Sequence, residues 1–475
     1  MREVAVSAVD IDRFARVLPP ERVGLLKAAA ERAKLGLAGR TVWNISSTER
    51  GGGVAEMLQT LVAYGQGAGV ETRWFVLTGD VRFFAVTKRL HNLLHGSPGD
   101  GSGLDASDLE HYREVMARNL QEWQNRARPG DIVLLHDPQT AGMAGALRER
   151  GAHVIWRCHI GTDQADEHTN RGWAFLRPFV EAADACIFSR REYAPPWLPT
   201  QRIWVIPPSL DPFSAKNASM TTDDIRGALD QAGILERLTD GGSLAFARRD
   251  GTTGAVRAHR GLLLDEDGPL PPDADVMLQV SRWDRLKDMA GVLTGFTDHM
   301  DRFPEGVHLL LVGPNVEGVS DDPEGAQVLK QCQKLRAALP PSKRARVHLC
   351  CLPMDDVDEN AHLVNALQRH ATLVVQKSLM EGFGLTVTEP MWKKRPVLAS
   401  AVGGIADQIE DDISGVLLDD PTDLDRFAAL AADLFRDPER RARIGAAAHE
   451  RVVRKFLGDR HLIQYGELFA SLVAD

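Results

Sequence analysis

Basic charge is what this 475-residue chain lacks first: Lys and Arg number 56 against 66 acidic residues, a formal net charge of −10. Such a balance leaves no electrostatic footprint for nucleic acid or for an anionic membrane surface. Long apolar runs are missing too. None approaches the roughly 18 residues of a membrane-spanning helix, and the opening MREVAVSAVDIDRF has no apolar core of a secretory signal. The cysteines are few: Cys158, Cys186, Cys332, Cys350 and Cys351 show no C-x-x-C spacing. Most lie in or beside apolar runs, where a thiol behaves as a small hydrophobe in a reducing compartment. No short repeat is visible. The expected location is the cytoplasm.

What is present is a globular composition, 44% hydrophobic and 26% charged, on a chain long enough for two or three domains. From Arg40 onward short apolar runs alternate with amphipathic ones. Strands are expected at Thr41–Ile45, Arg73–Leu77, Ile132–Leu135, Val154–Arg157, Ala185–Phe188 and Ile203–Ile206. A second series follows at Val276–Val280, Val307–Val312, Val347–Cys351, Leu373–Gln376, Val397–Ser400 and Val416–Leu418. Near-continuous apolar strands separated by helical spacing imply parallel sheets covered on both faces. The fold class is therefore α/β with two doubly wound sheets and a cleft between domains. The expected division is a helical extension over 1–39, a first Rossmann-like domain over 40–215, a linker or insertion over 216–272 and a second Rossmann-like domain over 273–455. A C-terminal helix over 456–475 returns to the first domain.

The string QKSLMEGFGLTVTEPMWKKRP carries the most chemistry. Glu381 and Glu389 bracket a Gly-Phe-Gly turn and the first turns of a helix. Backbone amides at such a helix start hold a phosphate, and the acids accept hydrogen bonds from sugar hydroxyls. A glycosidase pair is the rival. Eight helical residues advance about 12 Å, more than the roughly 5 Å of a retaining pair or 6.5–9.5 Å of an inverting one. The turn Gly51-Gly52-Gly53 follows the first strand and lets a ligand approach the backbone, or is a plain strand-to-helix turn. Glu56 stands where a dinucleotide fingerprint needs a small residue. In QVSRWDRLKDM, Arg282 and Lys287 follow a strand; alone they read as solvated surface, but beside the Glu381 segment they suit a departing diphosphate. His159 in WRCHIG and His136 in LLHDPQTAG end two strands, as ligand contacts or as satisfied structural histidines. Asp273-Ala274-Asp275 has a metal-transferase spelling but reads as linker acids.

These residues resemble a known family. VWNISSTERGGGVAEML, RWFVLTGDVRFFAVTKRLHNLLHG, LLHDPQTAGM, WRCHIG, IPPSLDPFSAKN, QVSRWDRLKD and VVQKSLMEGFGLTVTEPMWKKRPVLASAVGGI are similar to retaining glycosyltransferases of family four, with the GT-B architecture. The first, second and fifth strings favour its trehalose-forming branch. The resemblance implies transfer of glucose from UDP-, ADP- or GDP-glucose to glucose, giving α,α-trehalose, with no cofactor and no metal. It implies Arg282, Lys287, Glu381 and His159 at the reacting centre, and Gly52, Gly53, Gly382, Phe383, Gly384, Leu385 and Glu389 on the donor. It places Lys88, His91, Asn92 and His136 on the acceptor. Small-molecule substrates are the expected partners, nucleic acid and membrane are not, and a homodimer is allowed for. The rivals are a trehalose phosphorylase, another α-glucoside-forming transferase, a nucleotide-sugar sensor and a dehydrogenase.

Overall fold

Apolar runs flanked by helices build two seven-stranded sheets among the residues that the computed structural model describes: 1–49, 53–99, 101–123, 125–236, 244–259, 261–264, 268–316 and 323–474. The chain divides into two units, Met1–Ser209 with Phe456–Asp475, and Leu210–Lys455.

The first unit contains β1 (Arg2–Val4), β2 (Val42–Ser46), β3 (Thr72–Val76), β4 (Ile132–His136), β5 (His153–Cys158), β6 (Ala185–Phe188) and β7 (Ile203–Val205), in the order β1-β3-β2-β4-β5-β6-β7. All pairings are parallel except β1 with β3. Alternate residues serve the two faces: Val133, Leu135, Val154 and Trp156 pack into one core, Ile132, Leu134 and Ile155 into the other. Both faces are therefore dry, and each large side chain fully buried contributes roughly 1.5–3 kcal/mol. The last helix, Gly458–Val473, packs on the helix Pro20–Gly36, with Arg22 gripping Asp459 at 2.6–3.0 Å.

The second unit holds the hairpin β8 (Ala245–Ala247) and β9 (Thr253–Ala255). Its main sheet has β10 (Leu263–Leu264), β11 (Asp275–Val280), β12 (Val307–Pro314), β13 (Val347–Leu352), β14 (Leu373–Gln376), β15 (Val397–Ser400) and β16 (Val416–Leu418). The order is β10-β13-β12-β11-β14-β15-β16, parallel apart from β10. In each sheet the chain leaves one central strand in both directions: β2 lies between β3 and β4, and β11 between β12 and β14. Connections diverge there, so the strand C-termini leave a crevice, the usual seat of a ligand in such sheets.

Three expectations are corrected. The N-terminal extension is not helical alone, since β1 adds an edge strand that Arg73 fastens through Glu3 at 2.6 Å. Residues 216–272 are not a linker. The helix Thr222–Gln231 packs on the helix Val357–His370, and the carbonyls of Ala215, Asn217 and Ala218 accept from Asn365 and Arg369. The hairpin is tied to the same helix, Arg257 to Glu359 and Arg248 to Asp356. Asp275 is no solvated linker acid: it opens β11 and accepts from the Thr372 hydroxyl at 2.9 Å. All five cysteines are buried thiols. Among the described residues, no helix is long and apolar enough to cross a membrane.

Candidate active site

At the crevice of the second sheet, the segments following β11 and β14 converge. After β11 comes a single 3₁₀ turn, Arg285–Lys287; Asp288, at φ 48°, then caps the helix Met289–Asp298 by accepting from the Gly291 amide. After β14 the chain runs through the buried Lys377 and Ser378 to Glu381 and the glycine turn. The two segments are bound together: Lys287 Nζ lies 2.5 Å from Glu381 Oε2, Lys377 pairs with Asp288, and the Leu379 amide donates to the Leu286 carbonyl at 2.8 Å. Arg282 is half-exposed and leans on Asp284 at 2.9 Å.

Gly384 caps the helix Leu385–Trp392 at φ 84°, a conformation that glycine adopts without strain, and a Cβ there would lie 2.9 Å from Glu381 Cγ. Gly404 lets the neighbouring turn approach closely, since a Cβ there would meet Phe383 Cα at 2.6 Å and the Gly382 carbonyl at 2.8 Å. Gln408 donates to the carbonyls of Phe383 and Gly384. The turn is thus held from behind, at the start of a helix whose first amides have no intrahelical partner. Such an end, with two cations in the adjoining segment, attracts an anion.

Glu389 lies within the same helix, 5% exposed. Its carboxylate receives Gln368 Nε2 at 3.2 Å and Lys216 Nζ at 3.5 Å. Lys393 Nζ holds Gln368 Oε1 at 2.5 Å and Asn217 Oδ1 at 3.0 Å. Burial pushes this ammonium well below the ordinary lysine value, opposed by Glu389. The two glutamates therefore answer to different partners: Glu381 to a lysine beside the glycine turn, Glu389 to a buried polar cluster.

In the first unit, β2, β4 and β5 bring three predicted or adjacent residues together. His136 Nε2 lies 3.2 Å from Asn44 Oδ1, and His136 Nδ1 lies 3.3 Å from His159 Nε2, the two rings nearly parallel at 5.7 Å. Burial, aided by the Arg157 guanidinium, lowers His136 to about 3 and His159 well below its usual range. Both rings are neutral at physiological pH. Asp137 follows at φ 64°, its Oδ1 accepting from the His159 amide at 2.7 Å. Burial raises this carboxyl to about 7 against that hydrogen bond. Aspartate adopts this left-handed conformation more readily than most residues, and here it turns the carboxylate onto the His159 amide.

Lys88, His91 and Asn92 share the helix Val81–Leu94, Lys88 exposed and the other two half-buried. They are not in the histidine pair. The link is indirect: the His91 ring packs on His95 at 4.8 Å, and His95 Nδ1 lies 3.1 Å from the Gly161 carbonyl, two residues past His159. Gly53 begins the helix Gly53–Gly67, and Gly52 lies outside the described residues. Asn44, Asp137, Lys216, Gln368, Lys377 and Lys393 were not singled out from the sequence. Lys377 and Lys393 stood in the quoted glutamate string, where lysines amid apolar neighbours were the available signal. Lys216 stood in IPPSLDPFSAKN with nothing local to mark its role, and Gln368 gave no signal, since Glu389 is remote from both along the chain.

Comparison with known proteins shows the family and the fold. The family model described as "Trehalose synthase, N-terminal domain" matches residues 44–195, and that described as "Glycosyl transferases group 1" matches residues 264–451. A trehalose synthase of Rubrobacter xylanophilus is 34% identical over 97% of this chain and 96% of its own. One of Pyrococcus horikoshii is 32% identical over 99% of both chains. Among solved structures, the trehalose-6-phosphate synthase OtsA superposes with a TM-score of 0.67 at 13% identity, over 92% of this chain and 99% of that one. The dehydrogenase and sensor readings fall away, and the chain belongs to the trehalose synthase family, a glycosyltransferase of GT-B fold.

Proposed function

We propose that this enzyme transfers glucose from a nucleoside-diphosphate glucose to free glucose, with retention of the anomeric configuration, giving α,α-trehalose. The observation that supports this reading best is the juxtaposition of Arg282, the Lys287–Glu381 pair and the Gly382–Leu385 turn at one helix start. The donor's diphosphate rests on the amides of that turn, and Arg282 and Lys287 take up the charge that grows as the anomeric C–O bond breaks. Glu381 accepts from glucose hydroxyls, and Glu389 from the ribose. Gly52 and Gly53 are assigned to the donor as well. His159 contacts the donor sugar, and Lys88, His91, Asn92 and His136 serve the acceptor.

The acceptor hydroxyl attacks the face from which the diphosphate leaves. Its proton passes to the departing phosphate oxygen, so the leaving group is also the base and no protein nucleophile forms a covalent intermediate. Two fixed side-chain cations serve where other transferases use a divalent ion, and activity is expected to survive EDTA unchanged. The deciding assay runs the reaction backwards. Trehalose with a nucleoside diphosphate yields a nucleotide glucose and glucose, whereas trehalose with inorganic phosphate yields nothing. Glucose 1-phosphate in the second mixture alone would establish a phosphorylase instead.

A further inference from the structure

Asn44 is buried at 1% exposure on the central strand β2, and its role is set by a chemistry that none of the assignments above uses. Its amide oxygen is 3.2 Å from His136 Nε2, while Nδ2 has no hydrogen-bond partner among the described residues. Asn44 also lines a cavity of about 60 Å³ together with Thr72, Tyr465 and apolar side chains of the helices Pro20–Gly36, Gly53–Gly67 and Gly458–Val473. The amide oxygen is thus engaged by the histidine, and Nδ2 faces the largely apolar cavity without a partner among the described residues.

Neutral imidazole has one N–H and one lone pair, so the partner of one nitrogen decides the character of the other. An amide oxygen only accepts. Facing it, His136 must carry its proton on Nε2, which leaves Nδ1 bare. His159 Nε2, 3.3 Å from that bare nitrogen, must then be the donor, and His159 Nδ1 is left as an acceptor. We infer that Asn44 is a positioning residue: through His136 it holds His159 in the Nε2–H tautomer and presents His159 Nδ1 as a hydrogen-bond acceptor to a sugar hydroxyl. This deepens the role given to His159 above and rests on that reading for the sugar. The tautomer relay itself is a property of the ligand-free protein. Turning the amide over would reverse every link, put protons on both Nδ1 atoms and make His159 a donor.

The test is a two-bond ¹H–¹⁵N correlation spectrum of the full-length protein labelled at histidine, with His136→Asn and His159→Gln used for assignment. The two tautomers give different cross-peak patterns, so the wild-type spectrum decides without any variant of Asn44. Nε2–H on both rings is expected. Asn44→Asp, which still only accepts, keeps the pattern, whereas Asn44→Leu leaves His136 in exchange between tautomers. In the forward assay Asn44→Leu is expected to lower kcat tenfold to a hundredfold with little change in donor KM, and Asn44→Asp to restore most of it. An Nδ1–H signal on either ring of the wild type, or an Asn44→Leu spectrum unchanged from wild type, overturns the inference. Absence of glucosyl transfer with the expected spectrum would count against the proposed reaction and leave the relay standing.

Discussion

Under the proposed reaction, single residues separate charge stabilisation from nucleotide recognition. Arg282→Ala and Lys287→Ala each remove a preorganised cation, and a loss of about 3–4 kcal/mol of transition-state stabilisation lowers kcat a hundredfold to a thousandfold. Steady-state kinetics with saturating donor reads this directly, and full turnover in either variant would refute the leaving-group role. Lys287→Ala also strips Glu381 of its 2.5 Å partner, so the fall should exceed that of Arg282→Ala, whose side chain is half-exposed. Glu389→Ala belongs to recognition: calorimetry should show weaker nucleoside-diphosphate binding with the glucose KM unmoved. Lys393→Met leaves Gln368 Oε1 and Asn217 Oδ1 buried without their donor and takes one of the two ammonium groups from around Glu389, Lys216 remaining. Breaking one side of such a cluster costs about 3–5 kcal/mol, which a denaturant midpoint registers.

Among elements, the turn Gly382–Gly384 depends on a glycine outside it. Gly404→Ala would drive a methyl group to 2.6 Å from Phe383 Cα, against backbone rather than a flexible side-chain end. The expected result is a loss of about 1–3 kcal/mol of stability and a raised donor KM, measured on the same preparation; unchanged values would mean that the turn yields freely. How much was legible follows the same physics. β4, β6, β14 and β15 announce themselves because a strand buried on both faces must be apolar along its length. β1, β8, β9 and β10 do not, being two or three residues long and mostly exposed or half-buried. β1 and β10 exist because of partners far along the chain, Val76 opposite Arg2 and Cys350 opposite Leu263, while β8 and β9 have only each other. The site divides likewise. Glu381, Gly384, Glu389, Arg282 and Lys287 have neighbours in the sequence that suggest a role, whereas Gln368, and Lys216 and Asn44 within their quoted strings, acquire a role only from what tertiary structure sets beside them.

The whole molecule should respond to acid before its carboxylates do. His136 is lowered to about 3 and His370 to about 4, and His159 and His461 fall well below the usual value, all by burial. The unfolded chain takes up protons from about pH 6.5 downward, while these rings in the fold do not. Their contribution is complete above that pH and drains away as pH falls, at about 1.4 kcal/mol per pH unit for a fully buried ring. Asp137 acts in the opposite sense. Raised to about 7, it favours the fold most at low pH and loses that contribution as pH rises from about 4 to 7, so it offsets one histidine and not four. Unfolding by urea should therefore show a clear fall in stability between pH 6.5 and 4.5, and a flat profile there would contradict the buried, neutral state of these rings. For the central claim, that the second unit grips an activated glucose by its diphosphate, the most direct measurement is a crystal structure with a nucleoside diphosphate bound. The account predicts the diphosphate against Arg282, Lys287 and the amides of Gly382–Leu385, with the ribose on Glu389. A diphosphate seated away from those residues would contradict it.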